Sequence, residues 1–407
     1  IITRATDAAF TQNVVTSTAA STSIATTGTA YNSVATGLFP NTTYYYKIQA
    51  ANESSAPGTG LTGSQQTLDG IAYYWVGTTG GTLSTTTNWN TAADGTGTAR
   101  TTSDVSDILI VDGDGIVSGG TTTINVDVAS FSLGQFKVIS NTNLTLQSSA
   151  TTTRTITLIG GSGTDFVIEN GCTLNLNNAT MAVAFTLSGV NLTGDISGTI
   201  NFAGSSSNTL TTTGGSGTLV NVTSTGVVNL GYAGNSLVGS TATLNFNDGA
   251  KCNSTGATSG APPVPLATWA PNSTLTISGL TTSTSSPTNN AQSFGNVIYN
   301  CPAASATFNF WGSTTTSVVK GDLNIVASNT GRFRAVSSGT LTVNGNINVL
   351  GGSFQVSGST GTVIVLGNVN VVADSLDIAA GGASTLKVAG NFIQAGGKVK
   401  QTNAGGL

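Results

Sequence analysis

The chain has 407 residues, with 12 Lys or Arg, 16 Asp or Glu and no His. At 7% charged residues and a net charge of −4 it offers no basic face for nucleic acid or anionic lipid. The absence of His excludes imidazole triads, His-ligated metals and imidazole pH switches. With 38% apolar residues the chain is not of disordered composition. Thr and Val favour strands, Gly and Asn favour tight turns, and the bulk of the sequence is drawn from these types, so the fold class reads all-β.

Ile1-Ile2-Thr3-Arg4 lacks the basic start and apolar middle of a secretory leader, and Met181 is the only methionine. The chain is therefore expected to be a mature product or a portion of something larger. No apolar run approaches the ~20 residues of a membrane helix, so no membrane insertion is expected. In residues 1–69, Leu38, Pro40, Thr42 and Tyr44 alternate across a corner, and Tyr44, Tyr46, Ile48 and Ala50 keep a period of two that marks one buried strand face. With Asn52, these residues resemble the later strands of a fibronectin type III domain, whose corner tyrosine they match. The resemblance implies a partial β-sandwich whose opening strands are not in this chain.

Residues 70–103 follow, where Tyr73-Tyr74-Trp75 and Trp89 supply large aromatics just before a repetitive region. They read as the cap of a solenoid, with an aromatic ligand platform as the alternative. From residue 104 to 407 short β-like runs alternate with Gly and Asn. One phrase recurs as Gly321-Asp322-Leu323-Asn324-Ile325, Gly345-Asn346-Ile347-Asn348-Val349, Gly367-Asn368-Val369-Asn370-Val371 and Gly390-Asn391-Phe392-Ile393-Gln394, at spacings of 24, 22 and 23 residues. Three short strands per repeat is one coil of a parallel β-helix, here taken as right-handed with coils of ~23 residues. The looser runs Ile156–Leu158, Phe166–Ile168, Leu174–Leu176, Ile200–Phe202, Leu219–Val222, Val227–Leu230 and Leu244–Phe246 extend it backward. About thirteen coils at ~4.8 Å each predict a rod on the order of 60 Å. Pro262, Pro263, Pro265 and the Ser/Thr run at 281–288 predict a loop excursion near 257–290, a binding loop or an inert insertion. The sequence stops in mid-coil, so the rod is expected to continue.

Tyr73-Tyr74-Trp75-Val76-Gly77, then Asn88-Trp89 and Thr101–Asp104, resemble the start of β-helical regions in secreted surface proteins of the type IX route. Ala267-Thr268-Trp269 and Ser293–Pro302 share the likeness, as do the Gly-Asn coils. That family implies large extracellular, often adhesin-like proteins, commonly preceded by fibronectin type III domains. The sorting domain that ends such proteins is not present here.

Glycoside cleavage needs two carboxylates flanking a groove. The long segment holds one Glu, Glu169, and scattered Asp; Arg332 and Arg334 lie together with only Asp322 nearby in sequence. No active site is expected. Asp104, Asp107, Asp112 and Asp114 form the one acidic cluster. Asp112 and Asp114 are the calcium candidates, and a solvated turn is the alternative. The repeated Asn of the coils reads as stacked amides before it reads as a ligand row. Cys252 and Cys301 flank the expected excursion and would pair in oxidising surroundings, leaving Cys172 buried; three reduced buried thiols is the other outcome. Asp374-Ser375-Leu376 resembles the O-glycan acceptor of the same secretion family, which makes Ser375 the glycosylation candidate. The functional expectation is a non-enzymatic extracellular stalk or adhesin body on a bacterial surface, with surface glycans or neighbouring copies as partners and no cofactor beyond calcium. The rivals are a self-assembling filament or sheath subunit and a carbohydrate-active enzyme.

Overall fold

The computed structural model describes residues 1–17, 35, 38, 42–49, 60–67, 69–115, 118–148, 152–177, 182–204, 207–231, 234, 236–255, 259–313, 316–379 and 382–402. Among them there is no α-helix, only two short 3-10 turns and 40 strands. No helix is long and apolar enough to cross a membrane.

Runs of three to six residues in which apolar side chains alternate with Thr or Asn can bury one face only by lying on a copy of themselves. From about residue 108 to 400 they do so, as about eleven stacked turns of a parallel β-solenoid. Each turn visits three faces in the same order. The first face runs in parallel from Ala72–Trp75 through Ile108–Asp112 to Thr268–Trp269, and resumes from Thr316–Val319 to Thr385–Val388. The second is one unbroken sheet of 13 strands from Gly81–Thr82 to Phe392–Gln394, and its first strand belongs to the cap. The third comprises five strands from Ser130–Leu133 to Ser236–Val238 and five from Thr307–Asn309 to Lys398–Lys400.

Parallel pairing puts equivalent residues on top of one another. Leu144, Leu174, Ile200, Val228, Cys252, Leu275, Val297, Leu323, Ile347 and Val369 form one inward column. All are at most 1% exposed or fully buried, and an aliphatic side chain so placed contributes about 1.5–3 kcal/mol. The outward positions of the second face carry an amide ladder. Asn201 Nδ2 donates to Asn175 Oδ1 at 2.7 Å, Asn229 to Asn201 at 2.6 Å and Asn253 to Asn229 at 2.8 Å. Thr276 and Ile298 interrupt it, and Asn348 to Asn324 (2.8 Å) and Asn370 to Asn348 (2.7 Å) resume it.

The Gly-Asn phrase has its own cause. The side-chain oxygens of Asn296, Asp322, Asn346 and Asn368 each accept the backbone N–H of the next coil's turn residue, at 2.7–2.9 Å. The preceding glycines stack by N–H to carbonyl contact at 3.0–3.1 Å. A Cβ at Gly367 would sit 2.5 Å from the Gly345 carbonyl, so only glycine lets these turns approach so closely.

The expected excursion does not leave the coil. Pro262, Val264, Pro265, Ser283 and Pro287 are buried, and 259–266 and 281–290 supply the third face of two turns without a hydrogen-bond ladder. Prolines have no N–H to give, and side chains replace the missing bonds. Ser283 Oγ donates to Gly260 O (2.7 Å), Asn289 Nδ2 to Val264 O (3.0 Å) and Gln292 Nε2 to Pro265 O (2.9 Å). The interior at this level is filled by an aromatic column. Phe246 stacks on Trp269 at 4.1 Å, Trp269 meets Phe294 at 5.5 Å, and Phe294 meets Phe310 at 5.5 Å.

At one end, Trp89–Asn90 pairs antiparallel with Ala72–Trp75 and ends the first sheet. Trp75 and Trp89 meet edge to face at 5.1 Å, and Trp89 Nε1 donates to Leu83 O. Both rings are at most 1% exposed, so they close the core and present no platform. In the last described coil Phe392 and Ile393 are each 44% exposed, with nothing among the described residues covering them.

Ahead of the solenoid lies an antiparallel sheet in the order Val15–Ser17, Ile2–Ala5, Thr43–Ile48, Leu61–Gln66. It is compatible with the expected half-sandwich. The corner residues Phe39–Asn41 and the positions Ala50–Asn52 lie outside the described residues. Of the buried face expected at Tyr44, Tyr46 and Ile48, Tyr44 is buried and Ile48 is 54% exposed. Among the described residues no second sheet covers it.

Candidate functional site

On the third face of the C-terminal turns, outward positions that elsewhere carry Thr carry charge. One column runs Thr307, Arg332, Ser353, Ser375, Lys398, and the next runs Asn309, Arg334, Gln355, Asp377, Lys400. Arg334 Nη1 donates to Asn309 Oδ1 (2.9 Å) and Nε to Gln355 Oε1 (3.0 Å). Burial, and then the charge of Arg332, push the Arg334 guanidinium below its usual range. Gln355 and Asp377 point outward in register, yet they are only 2% and 1% exposed. Thr402 covers Asp377, donating from both its N–H and its hydroxyl. Arg332 reaches two coils along the rod to come within 3.9 Å of Asp377.

A groove opens beside this pair, lined by Asn329, Arg332, Ser353, Asp374, Lys398 and Lys400 among others. Ser353 Oγ donates to Asp374 Oδ1 at 2.9 Å and lies 2.9 Å from Ser375 Oγ. Among the described residues, Lys398 and Lys400 make no ion pair. The groove thus offers amides, hydroxyls and unneutralised ammonium groups to solvent. It is poorly suited to the two-carboxylate chemistry of glycosidases, because Asp377 is sealed and only Asp374 faces outward.

The sequence-derived candidates fall elsewhere or into structural roles. Ser375, the glycosylation candidate, lines the groove and is 4% exposed, with its hydroxyl 2.9 Å from Ser353 Oγ. Asp112 Oδ1 accepts the N–H of Asp114 at 3.0 Å. Asp104 is held low by the N–H and hydroxyl of Ser106, and Asp107 pairs with Arg100. Asp112 and Asp114 line one pocket with Asp94, Asp104 and Asp107 serve the turn before the first full coil, and among the described residues no three His, Cys, Asp or Glu converge on a metal position. Glu169 accepts the Ser140 N–H at 2.7 Å.

Cys172, Cys252 and Cys301 are all free and buried, which corrects the expected Cys252–Cys301 bridge. Cys252 lies beneath Leu275 and Val297, so Cys301 is two rungs up and four residues along. That separation, over ~9 Å in the stacking direction alone, exceeds what a disulfide spans. Burial raises the titration of all three thiols. A thiol reagent should find three groups after denaturation without reductant and almost none in the folded protein; a count of one after denaturation would show a bridge.

A second polar pocket, which sequence reasoning missed, separates the N-terminal sheet from the rod, with Thr6, Tyr45, Gly160, Asp165 and Asn191 in its walls. Asp165 is 2% exposed and accepts from Gly161 N (2.9 Å), Thr193 N (2.8 Å) and Gln135 Nε2 (3.1 Å). Burial outweighs these bonds and raises its pKa. A carboxyl raised in the folded state stabilises most below its ordinary range, and loses that contribution as pH rises through the raised value. The melting temperature of the parent should therefore rise relative to Asp165→Asn as pH falls from neutral towards 4. A constant difference across that range would contradict the shift.

Comparison with protein families, with curated proteins and with solved structures found no match.

Proposed function

We propose that this chain is the shaft of a secreted, non-enzymatic bacterial surface protein, a stalk or adhesin body that holds binding surface away from the cell. The observation that carries the reading is the unbroken 13-strand second face, with an aliphatic column behind it and amide ladders in front. Such a stack is quasi-one-dimensional: each coil adds length and rests only on its neighbours. Export by the type IX route and a fibronectin type III identity for residues 1–69 belong to this proposal on the sequence resemblance. The sealed Asp377 supports the non-enzymatic reading.

The rival is a head-to-tail filament. The antiparallel strand Trp89–Asn90 and the Trp75–Trp89 pair occupy the end on which a second copy would have to stack, which favours the single shaft. Electron microscopy of the purified chain tests the choice. Separate short rods at every concentration support the shaft, whereas ordered fibres would establish the filament. Release of reducing sugar from polysaccharides would overturn both in favour of an enzyme.

A further inference from the structure

We propose that the groove of Arg332, Lys398 and Lys400 binds an acidic oligosaccharide, a chain of sugar hydroxyls carrying carboxylate or sulfate groups. The inference rests on the extracellular-shaft reading and assigns it a ligand site. Charge is distributed unevenly along the molecule. Up to Lys320 there are thirteen acidic against seven basic residues, and beyond it three against five. Three of those five cations line one groove, in a chain of which only 7% of the residues are charged. Of the three acids beyond Lys320, Asp322 lies in the turn ladder on another face, and Asp377 is sealed between Thr402 and Arg332. Lys398 and Lys400 stand on the same outward side of one strand, ~6.6 Å apart along it. The Arg332 guanidinium reaches up to the coil directly beneath them.

Asp374 faces the same groove and must be accounted for. Fixed by Ser353 Oγ, it repels a bare anion but accepts a hydroxyl. Asn329, Thr330 and Ser353 add further polar groups along the same wall. The groove is therefore built for a polyol that bears negative charge at intervals, rather than for phosphate or acetate. Its attraction is largely Coulombic between exposed groups, so it weakens with salt.

The test is calorimetric titration of the 407-residue chain at low salt with oligogalacturonate, a chondroitin sulfate oligosaccharide, a neutral malto-oligosaccharide and inorganic phosphate. Binding of either charged saccharide, with neither the neutral one nor phosphate binding, supports the site, and the two charged probes separate carboxylate from sulfate. Lys398→Ala/Lys400→Ala should weaken binding about fivefold to tenfold, and Lys47→Ala/Lys251→Ala should leave it unchanged. Failure of both charged probes, equal binding of the neutral sugar, or equal loss in the control variant would overturn the proposal. Scattering curves on the same samples separate the two levels: a variant that keeps the rod curve has lost ligand, not fold. A rod that binds no probe removes the groove's function and leaves the shaft standing.

Discussion

Replacing Trp269 by Ala should destabilise the rod by about 3–5 kcal/mol, with the loss centred on its middle. Trp269 is fully buried, lies flat on Phe246 and donates its Nε1 to Gln292 Oε1 at 3.1 Å. It sits where the third face has no backbone ladder, so packing carries what hydrogen bonds carry elsewhere. Gln292 keeps the Ala267 N–H on the same oxygen, at 3.0 Å, so the cost comes chiefly from the cavity. Because each coil rests on its neighbours, hydrogen exchange should accelerate from about Leu244 to Phe354 and change little in the coils before Leu158. Uniform acceleration along the whole rod would mean that it unfolds as one unit, and an unaltered denaturant midpoint would contradict the role given to the column.

The second large effect is expected at the cap. Arg100 is 1% exposed and Asp107 3%; their side chains meet at 2.6 Å, and the guanidinium lies over Tyr73 and Phe131 at 5.8 and 5.6 Å. Asp107 also accepts the N–H of Asp104 at 2.9 Å, which fixes the turn leading into the first full coil. Asp107→Ala strands a buried cation and should cost about 3–5 kcal/mol. Arg100→Met combined with Asp107→Leu should recover most of that, since a buried pair exchanged for apolar groups of similar size is often neutral. Chemical denaturation of the single and double variants decides. A double variant as unstable as Asp107→Ala would show that the turn, not the charge, is what matters.

The coil architecture was legible because its period is written in residues that have no choice. Gly345 and Gly367 repeat since a Cβ would strike the carbonyl below, and Asn346 and Asn368 repeat since each accepts the next coil's N–H. Proline misled the reading of 257–290. Pro262 and Pro265 usually mark an exit from a sheet, but here the side chains of Gln292 and Asn289 supply bonds across coils from 25 or more residues away. No local pattern shows that. The cysteine pairing failed for a related reason, because closeness in sequence around a loop says nothing of rung number. The groove was hidden by the same geometry. Asp322 is the only acid near Arg332 in the chain, whereas Asp377, the carboxylate it approaches, is two coils away. Applying the 22–24-residue period to charges as well as to Gly and Asn would have found it.

A solenoid shaft requires that each coil add one rung. In a background with Cys172, Cys252 and Cys301 replaced by Ala, spin labels at Thr145 and Thr276, and then at Thr145 and Asn370, report distances along the outward column of the second face. Thr276 lies five rungs from Thr145 and Asn370 nine. At ~4.8 Å per rung the mean distances should be ~24 and ~43 Å. Growth in proportion to rung number is the predicted result; similar distances for the two pairs, or a shorter one to Asn370, would contradict the solenoid and the shaft built on it.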